Sequence, residues 1–170
     1  MYIMVDVESD GPCPGLYSMV SFGAVLCSDP SKTFYGETKH ISDKYIPEAL
    51  AISNITRNQH SKFPNPAETM LAFEEWIKNV CGSSRPFFIS DNNGFDWQFI
   101  NYYFHAFVGH NPFGFSSTNL GSLYKGMQKD VFVNFKHLRK TKHTHHPVDD
   151  SIGNVEALIE MKRMGLKINL

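Results

Sequence analysis

The residues best suited to chemistry are two carboxylates at the end of the first apolar stretch. Residues 2–5 are apolar and partly β-branched, which predicts a buried strand. Asp6 and Glu8 follow one residue apart, so their side chains point to the same face of that strand. Two like charges placed together are costly unless a cation lies between them, and carboxylate oxygens suit Mg²⁺ or Mn²⁺. The pair predicts a metal site, with a solvated acidic turn as the alternative.

Two further segments place carboxylates where helices are predicted to begin. Asp96 falls in the first turn of a helix that starts near Gly94, directly after a short apolar strand. Asp149 and Asp150 open the last predicted helix, shortly after His145. Each of these carboxylates could simply be a favourable charge at a helix N-terminus. Taken with the first pair, four carboxylates and a histidine at the ends of elements fit two-metal hydrolysis of a phosphodiester.

The elements that must position these residues follow from hydrophobic periodicity and turn signals. Short connections between the first three strands favour antiparallel pairing, whereas the fourth strand follows a helix and is expected to pair in parallel. The sequence therefore predicts an α/β fold with a mixed sheet flanked by helices. The predicted strands cover residues 2–5, 17–27, 33–40 and 86–90, and the predicted helices cover residues 65–82, 95–107, 120–127 and 149–164, with one short helix near 48–52 in a region that is otherwise loop.

Length and composition restrict the class of protein. The chain has 170 residues, of which 42% are hydrophobic and 19% charged, so we expect one globular domain spanning residues 1–170. The net charge is −1, so attraction to a polyanion must come from a local patch. The three cysteines are scattered without paired spacing, which favours a reducing, cytoplasmic location. No signal peptide and no apolar run of about 18 residues is present, so we expect no membrane contact.

Two loops flank the acidic residues. Gly11 lies in a turn next to Glu8, where a residue without a side chain would let a substrate backbone approach closely. The second loop precedes the last helix and is basic and histidine-rich, which suits a nucleic-acid backbone if it is not merely solvated. Its lysines and arginine are Lys136, Arg139, Lys140 and Lys142.

Three motifs in order resemble those of the DEDDh 3′–5′ exonucleases, which belong to the DnaQ-like group with an RNase H-like fold. They are VDVESDG, followed by SFGAV in the next strand; DNNGFD, which ends at Asp96; and HHPVDDS near the C-terminus. The family spaces its histidine five positions before its last aspartate, which selects His145 and Asp150. Asp149 would instead need residue 144, which is a threonine.

This resemblance implies roles for individual residues. Asp6, Glu8 and Asp150 would hold the metal that activates water, with Asp6 bridging to a second Mg²⁺ or Mn²⁺. Asp96 would complete the acidic site, and His145 would be the general base. The expected substrate contacts are Gly11, Leu16, Tyr17, Asn92, Phe95, Arg139 and Lys140. The implied reaction releases nucleoside 5′-monophosphates from 3′ ends of single-stranded RNA or DNA, with RNA slightly favoured. A homodimer is a further expectation from the family.

Two positions depart from the family pattern. Asp91 replaces a frequent histidine in the second motif and adds negative charge near the expected metals. The segment 117–119 has no aspartate where relatives often carry one. Two alternatives therefore stay open at this point. The domain could bind nucleic acid or act as a scaffold without catalysis, or His143, His145 and His146 could bind a transition metal.

Overall fold

The computed structural model describes residues 1–170 and contains one five-stranded mixed sheet. Its strand order is β3-β2-β1-β4-β5, with antiparallel pairing among the first three strands and parallel pairing of β4 with β1 and of β5 with β4. This confirms the predicted mixed sheet. The strands are β1 (Tyr2–Ser9), β2 (Met19–Leu26), β3 (Thr33–Glu37), β4 (Phe87–Ser90) and β5 (Ser117–Asn119).

The structure has six α-helices, and all but the helix Asn93–Phe107 begin with a proline or a capping side chain. The first long helix is typical: Asn65 accepts a hydrogen bond from the Ala67 N–H at 2.9 Å, a proline follows, and Gly82 ends the helix with φ of 55°. The helices are α1 (Pro47–Ile52), α2 (Arg57–His60), α3 (Pro66–Cys81), α4 (Asn93–Phe107), α5 (Leu120–Gln128) and α6 (Pro147–Arg163). A short 3₁₀ turn spans Lys136–Leu138. None of the helices is long and apolar enough to cross a membrane.

The alternation of side chains along β1 decides which face carries the acidic residues. Ile3, Val5 and Val7 belong to the core cluster formed with α3 and α4. Met4 points the other way, into the cluster formed with α5 and α6. Because side chains alternate along a strand, Asp6 and Glu8 share the face of Met4. The first acidic pair is therefore directed toward α6.

Three elements were missing from the sequence-based prediction, namely β5, α2 and the 3₁₀ turn Lys136–Leu138, and several ends differ by a few residues. The strand β5 is a three-residue edge strand of polar Ser-Thr-Asn, so it has no apolar pattern to reveal it. The helix α2 is a single turn that depends on a capping box between Thr56 and Gln59. The last helix begins at Pro147 rather than at residue 149, because proline fits the first turn of a helix.

Candidate active site

Gly23 on β2 lies between Asp6 of β1 and the start of α6. Asp6 on β1 pairs with Gly23 on β2, and a Cβ built on Gly23 would lie 2.4 Å from the backbone carbon of Pro147 and the nitrogen of Val148. The backbone of α6 therefore rests directly on β2. The Ser151 hydroxyl donates to the Gly23 carbonyl at 3.3 Å and fixes this contact. The close approach brings the first turn of α6 next to Asp6.

Three of the four predicted carboxylates converge at this contact. Asp6, Glu8 and Asp150 each offer an oxygen, and these oxygens lie within 4.8 Å of one another. Such a set of hard oxygen ligands fits a divalent cation such as Mg²⁺ or Mn²⁺. The structure thus brings together residues from the two ends of the sequence.

Asp96 lies behind this trio at the start of α4. It is buried, and its Oδ1 accepts a hydrogen bond from the Val7 N–H at 3.1 Å. Its Oδ2 is also buried but has no hydrogen-bond partner in the protein. A buried carboxylate oxygen without a donor is costly, and a cation or its bound water would satisfy it. We refer to Asp6, Glu8, Asp96 and Asp150 as the acidic cluster.

The electrostatics of the acidic cluster favour a bound cation. Burial, followed by repulsion from Asp96, Glu8 and Asp150, raises the pKa of Asp6 well above its usual value. Burial and then the charge of Asp150 raise the pKa of Glu8 to about 7. Burial also raises the pKa of Asp96 to about 8. Carboxylates that resist ionisation in the metal-free protein lose this penalty when a cation neutralises them.

The loop before α6 surrounds Asp150 with donors. Its Oδ1 accepts from Arg139 Nη2 at 2.9 Å and from the Thr144 N–H at 3.3 Å, and it lies 2.7 Å from Nδ1 of His143. Its Oδ2 accepts from the His145 N–H at 3.1 Å. The Arg139 side chain is only 9% exposed, so it lies beneath the loop and beside Asp150 rather than on the outer surface. Nothing in the sequence distinguished this buried arginine from its exposed lysine neighbours.

The three histidines of this loop point in different directions. His145 has a left-handed backbone with φ of 60°, and its exposed ring lies against that of His143 with the ring centroids 4.2 Å apart. His146 instead stacks on Tyr35 of β3, with the ring centroids 5.1 Å apart. The His145 ring is therefore exposed beside His143, which contacts Asp150, while His146 is turned toward β3.

An apolar pocket of about 350 Å³ opens beside Glu8. Two of the predicted substrate contacts, Gly11 and Phe95, line this pocket. The ring of Tyr17 packs on Gly11, because a Cβ built on that glycine would lie 2.1 Å from the ring. Leu16 is exposed and does not line the pocket. Asn92 lies before α4, and its carbonyl accepts from the Phe95 N–H at 2.8 Å. The opposite wall, which the sequence did not reveal, consists of Ile46, Ala49 and Ile52.

A basic groove borders the other side of the site. It has a volume of about 320 Å³ and is lined by Lys136, Arg139, Lys140, Thr141, Lys142 and His143. Glu156 of α6 fixes its floor by accepting from the Lys140 N–H at 2.8 Å and the Thr141 N–H at 2.7 Å. Asp91 is partly buried, and burial raises its pKa while Lys136 and Arg139 oppose that rise. The unusual aspartate therefore faces basic side chains.

Comparisons with known proteins place these features in context. No protein-family model matches the chain. A 3′-5′ DNA exonuclease, Cap18 from Escherichia coli, is 40% identical over 129 residues, which cover 75% of this chain and 69% of that protein.

Solved structures support the same fold. The nuclease domain of 3′hExo, a DEDDh family member bound to rAMP, superimposes with a TM-score of 0.71 at 14% identity and covers 99% of this chain and 96% of its own. E. coli ExoI in complex with single-stranded DNA gives a TM-score of 0.68 at 19% identity and covers 97% of this chain but 41% of its own. The sheet is thus of the RNase H-like type, and the chain belongs to the DEDDh 3′–5′ exonuclease family.

Proposed function

We propose that residues 1–170 form one metal-dependent exonuclease domain, which removes nucleotides from the 3′ ends of single-stranded nucleic acid. The observation that carries this proposal is the convergence of Asp6, Glu8 and Asp150 within 4.8 Å. Asp6 and Glu8 come from one strand and Asp150 from a helix that begins some 140 residues later, which is a costly arrangement unless a cation is bound.

In this proposal the acidic cluster holds two divalent cations, Mg²⁺ or Mn²⁺. When bound, the metals would stabilise the charge that develops on the attacking and leaving oxygens of the phosphodiester. Asp96 supplies the buried oxygen that has no other partner. Because Glu8 and Asp96 have raised pKa values, binding of the metals releases protons from the cluster.

His145 is the proposed general base. Its backbone N–H holds Asp150 while its exposed imidazole remains available to accept a proton from water. The His145 backbone has a left-handed conformation. In this conformation its N–H faces Asp150 while its ring is exposed to solvent. A neutral imidazole is required for this role, so activity is expected to fall in acid.

The two recesses on either side of the acidic cluster suit the two parts of a nucleotide chain. The apolar pocket beside Glu8 has room for a terminal base, which would contact Phe95 and the covered Gly11. The basic groove would hold backbone phosphates through Lys136 and Lys140. In this proposal Tyr17, whose ring covers Gly11, contacts the terminal base, whereas Leu16 is exposed outside the pocket. The Asn92 carbonyl holds the start of α4.

The sugar preference is the finer part of the proposal. The sequence slightly favoured RNA, whereas the E. coli relative is named a DNA exonuclease. On the strength of that name, we propose DNA as the better substrate of this chain. A residue that recognises a 2′-hydroxyl would be needed for an RNA preference. A homodimer stays a prediction.

The test is a gel assay on matched 5′-labelled single-stranded DNA and RNA with Mn²⁺ or Mg²⁺. Wild type should produce a ladder that shortens from the 3′ end. Asp6→Ala should abolish this ladder, and His145→Ala should slow its appearance by about 10² to 10³-fold. Glu160→Gln is the matched control, because Glu160 is a carboxylate at the far end of α6 and should leave the ladder intact. Binding of oligonucleotide without any cleavage under either metal would instead favour the non-catalytic alternative.

A further inference from the structure

Arg139 occupies a slot in α6 at Gly153, where the absence of a side chain leaves room for its guanidinium. A Cβ built on Gly153 would lie 2.5 Å from Nε and 2.8 Å from Nη2 of Arg139, so the guanidinium rests against the helix backbone. Gly153 lies three residues after Asp150 and so shares its side of the helix. The slot therefore directs the guanidinium to the carboxylate of Asp150.

The guanidinium in this slot is committed to Asp150. Its Nη2 donates to Oδ1 of Asp150 at 2.9 Å and also lies 3.4 Å from the Asp150 carbonyl oxygen. Its Nε is buried and has no hydrogen-bond partner. A buried N–H without an acceptor costs free energy, so the pairing with Asp150 is what stabilises Arg139 in this position. If a metal ion binds Asp150, that stabilisation is weakened.

The position of Arg139 also matters for the charge of the site. Among the charges that act on Asp6, three carboxylates raise its pKa and Arg139 is the group that lowers it. The guanidinium thus supplies positive charge to Asp6 as well as to its partner Asp150. A divalent cation at Asp150 would meet this charge at short range and would repel it.

We propose that Arg139 is an internal counter-cation of the acidic cluster, which holds Asp150 in the metal-free protein and competes with the divalent cation for it. The inference rests on the proposed metal site. It makes Arg139 a positioning residue, since it stabilises the carboxylate before the metal arrives. Arg139 also lines the basic groove, so a displaced guanidinium moves toward the proposed path of the nucleic-acid backbone.

The first test measures, by calorimetry without substrate, the affinity for Mn²⁺ of three proteins: wild type, Arg139→Met and Arg163→Met. Arg139→Met should bind Mn²⁺ about tenfold more tightly, because a nearby positive charge has been removed. Its melting temperature in EDTA should fall, because the acidic cluster loses its counter-cation. Arg163→Met removes an exposed arginine from the other end of α6 and should bind Mn²⁺ like wild type.

A second variant moves the guanidinium without removing its charge. Gly153→Ala should push Arg139 out of its slot, lower the melting temperature in EDTA and tighten Mn²⁺ binding. In the Arg139→Met background the same change should no longer lower the melting temperature, because the methionine has no guanidinium to collide with and alanine favours a helix.

The outcomes separate the inference from the proposed function. Equal or weaker Mn²⁺ affinity in Arg139→Met would overturn the counter-cation while leaving the metal site in place. No detectable Mn²⁺ binding in any variant would overturn both the counter-cation and the proposed metal-dependent activity. Tighter binding in Arg139→Met and Gly153→Ala, with the control unchanged, would establish the competition.

Discussion

Two Arg–Asp pairs have buried carboxylates but different surroundings. Arg139 pairs with Asp150 at 2.9 Å, and Arg57 pairs with Asp10 at 2.8 Å. Asp10 also accepts from the Ser18 N–H, and Arg57 also donates to the Ser42 carbonyl. Both aspartates thus accept from backbone N–H groups, but Asp10 lies beside His60, whereas Asp150 lies beside Asp6 and Glu8.

The Arg57–Asp10 pair also has a structural role. The Asp10 carbonyl accepts from the Ile46 N–H at 2.8 Å, and the Arg57 guanidinium lies 4.8 Å from the centre of the Tyr45 ring. These contacts fix the chain just before α1, which forms one wall of the apolar pocket. The same type of ion pair thus shapes a pocket in one region and serves a metal site in the other.

The largest expected effect is the difference in kcat between Asp150→Asn and Asp10→Asn. Asp150→Asn should reduce kcat by at least about 10³-fold, because it removes a charged ligand from the metal site. Asp10→Asn should retain catalysis but lose about 2 kcal/mol of unfolding free energy, because it weakens a buried charge-assisted hydrogen bond. Single-turnover kinetics and urea denaturation check the two effects. Equal loss of activity in both folded variants would place Asp10 in the catalytic machinery.

The next effect concerns the loop that carries Arg139. His145→Ala should reduce kcat by about 10² to 10³-fold, because a positioned general base contributes on that scale. The affinity for Mn²⁺ should stay unchanged, because the His145 backbone N–H still donates to Asp150. Calorimetry alongside kinetics distinguishes these results. A parallel loss of Mn²⁺ affinity would show that the imidazole supports the metal rather than the proton transfer.

The two regions should respond to pH with opposite sign. Burial raises the pKa of Glu8 to about 7, so the metal-free protein should lose stability as pH rises from about 4.5 to about 7. Burial lowers the pKa of His60, beside Asp10, to about 4, so this residue should cost stability as pH falls from about 6.5 to about 4. Melting temperatures in EDTA across this range check both trends. Glu8→Gln should reduce the loss at higher pH, to which the raised pKa values of Asp6 and Asp96 also contribute, and should leave the acid-side loss in place.

The smallest expected effect concerns the wall of the apolar pocket. Arg57→Met should raise KM for a single-stranded oligonucleotide about threefold with little change in kcat, because the wall loosens while the acidic cluster is intact. Lys62→Met, which removes a nearby exposed cation, is the matched control. Steady-state kinetics provide the measurement. A fall in kcat without a change in KM would separate Arg57 from the pocket.

The sequence predicted the parts of the site that depend on short, ordered patterns. The spacing of Asp6 and Glu8 on one strand and the turn before Asp96 were visible, because strand alternation and helix starts are local properties. The sheet followed from the same periodicities. The structure then brought Asp6, Glu8 and Asp150 together without any change to those assignments.

The remaining features depend on contacts between distant segments. Gly153 lies fourteen residues after Arg139 in the chain, and its role becomes visible only when the Arg139 side chain packs on α6. The partnership of Arg57 with Asp10 joins residues 47 positions apart, and each looks like an ordinary surface charge in sequence. The strand β5 formed from a polar tripeptide because β4 offered it a free edge.

The close contact at Gly23 has a consequence for how this chain can vary. The position carries no chemistry, yet any side chain there would collide with the backbone at the start of α6 and move Asp150 away from Asp6. In a saturation mutagenesis screen, Gly23 should tolerate substitution as poorly as the carboxylates do. The glycine of SFGAV therefore identifies a spacing between two backbones, and a variant library intended to alter substrate choice should leave it fixed.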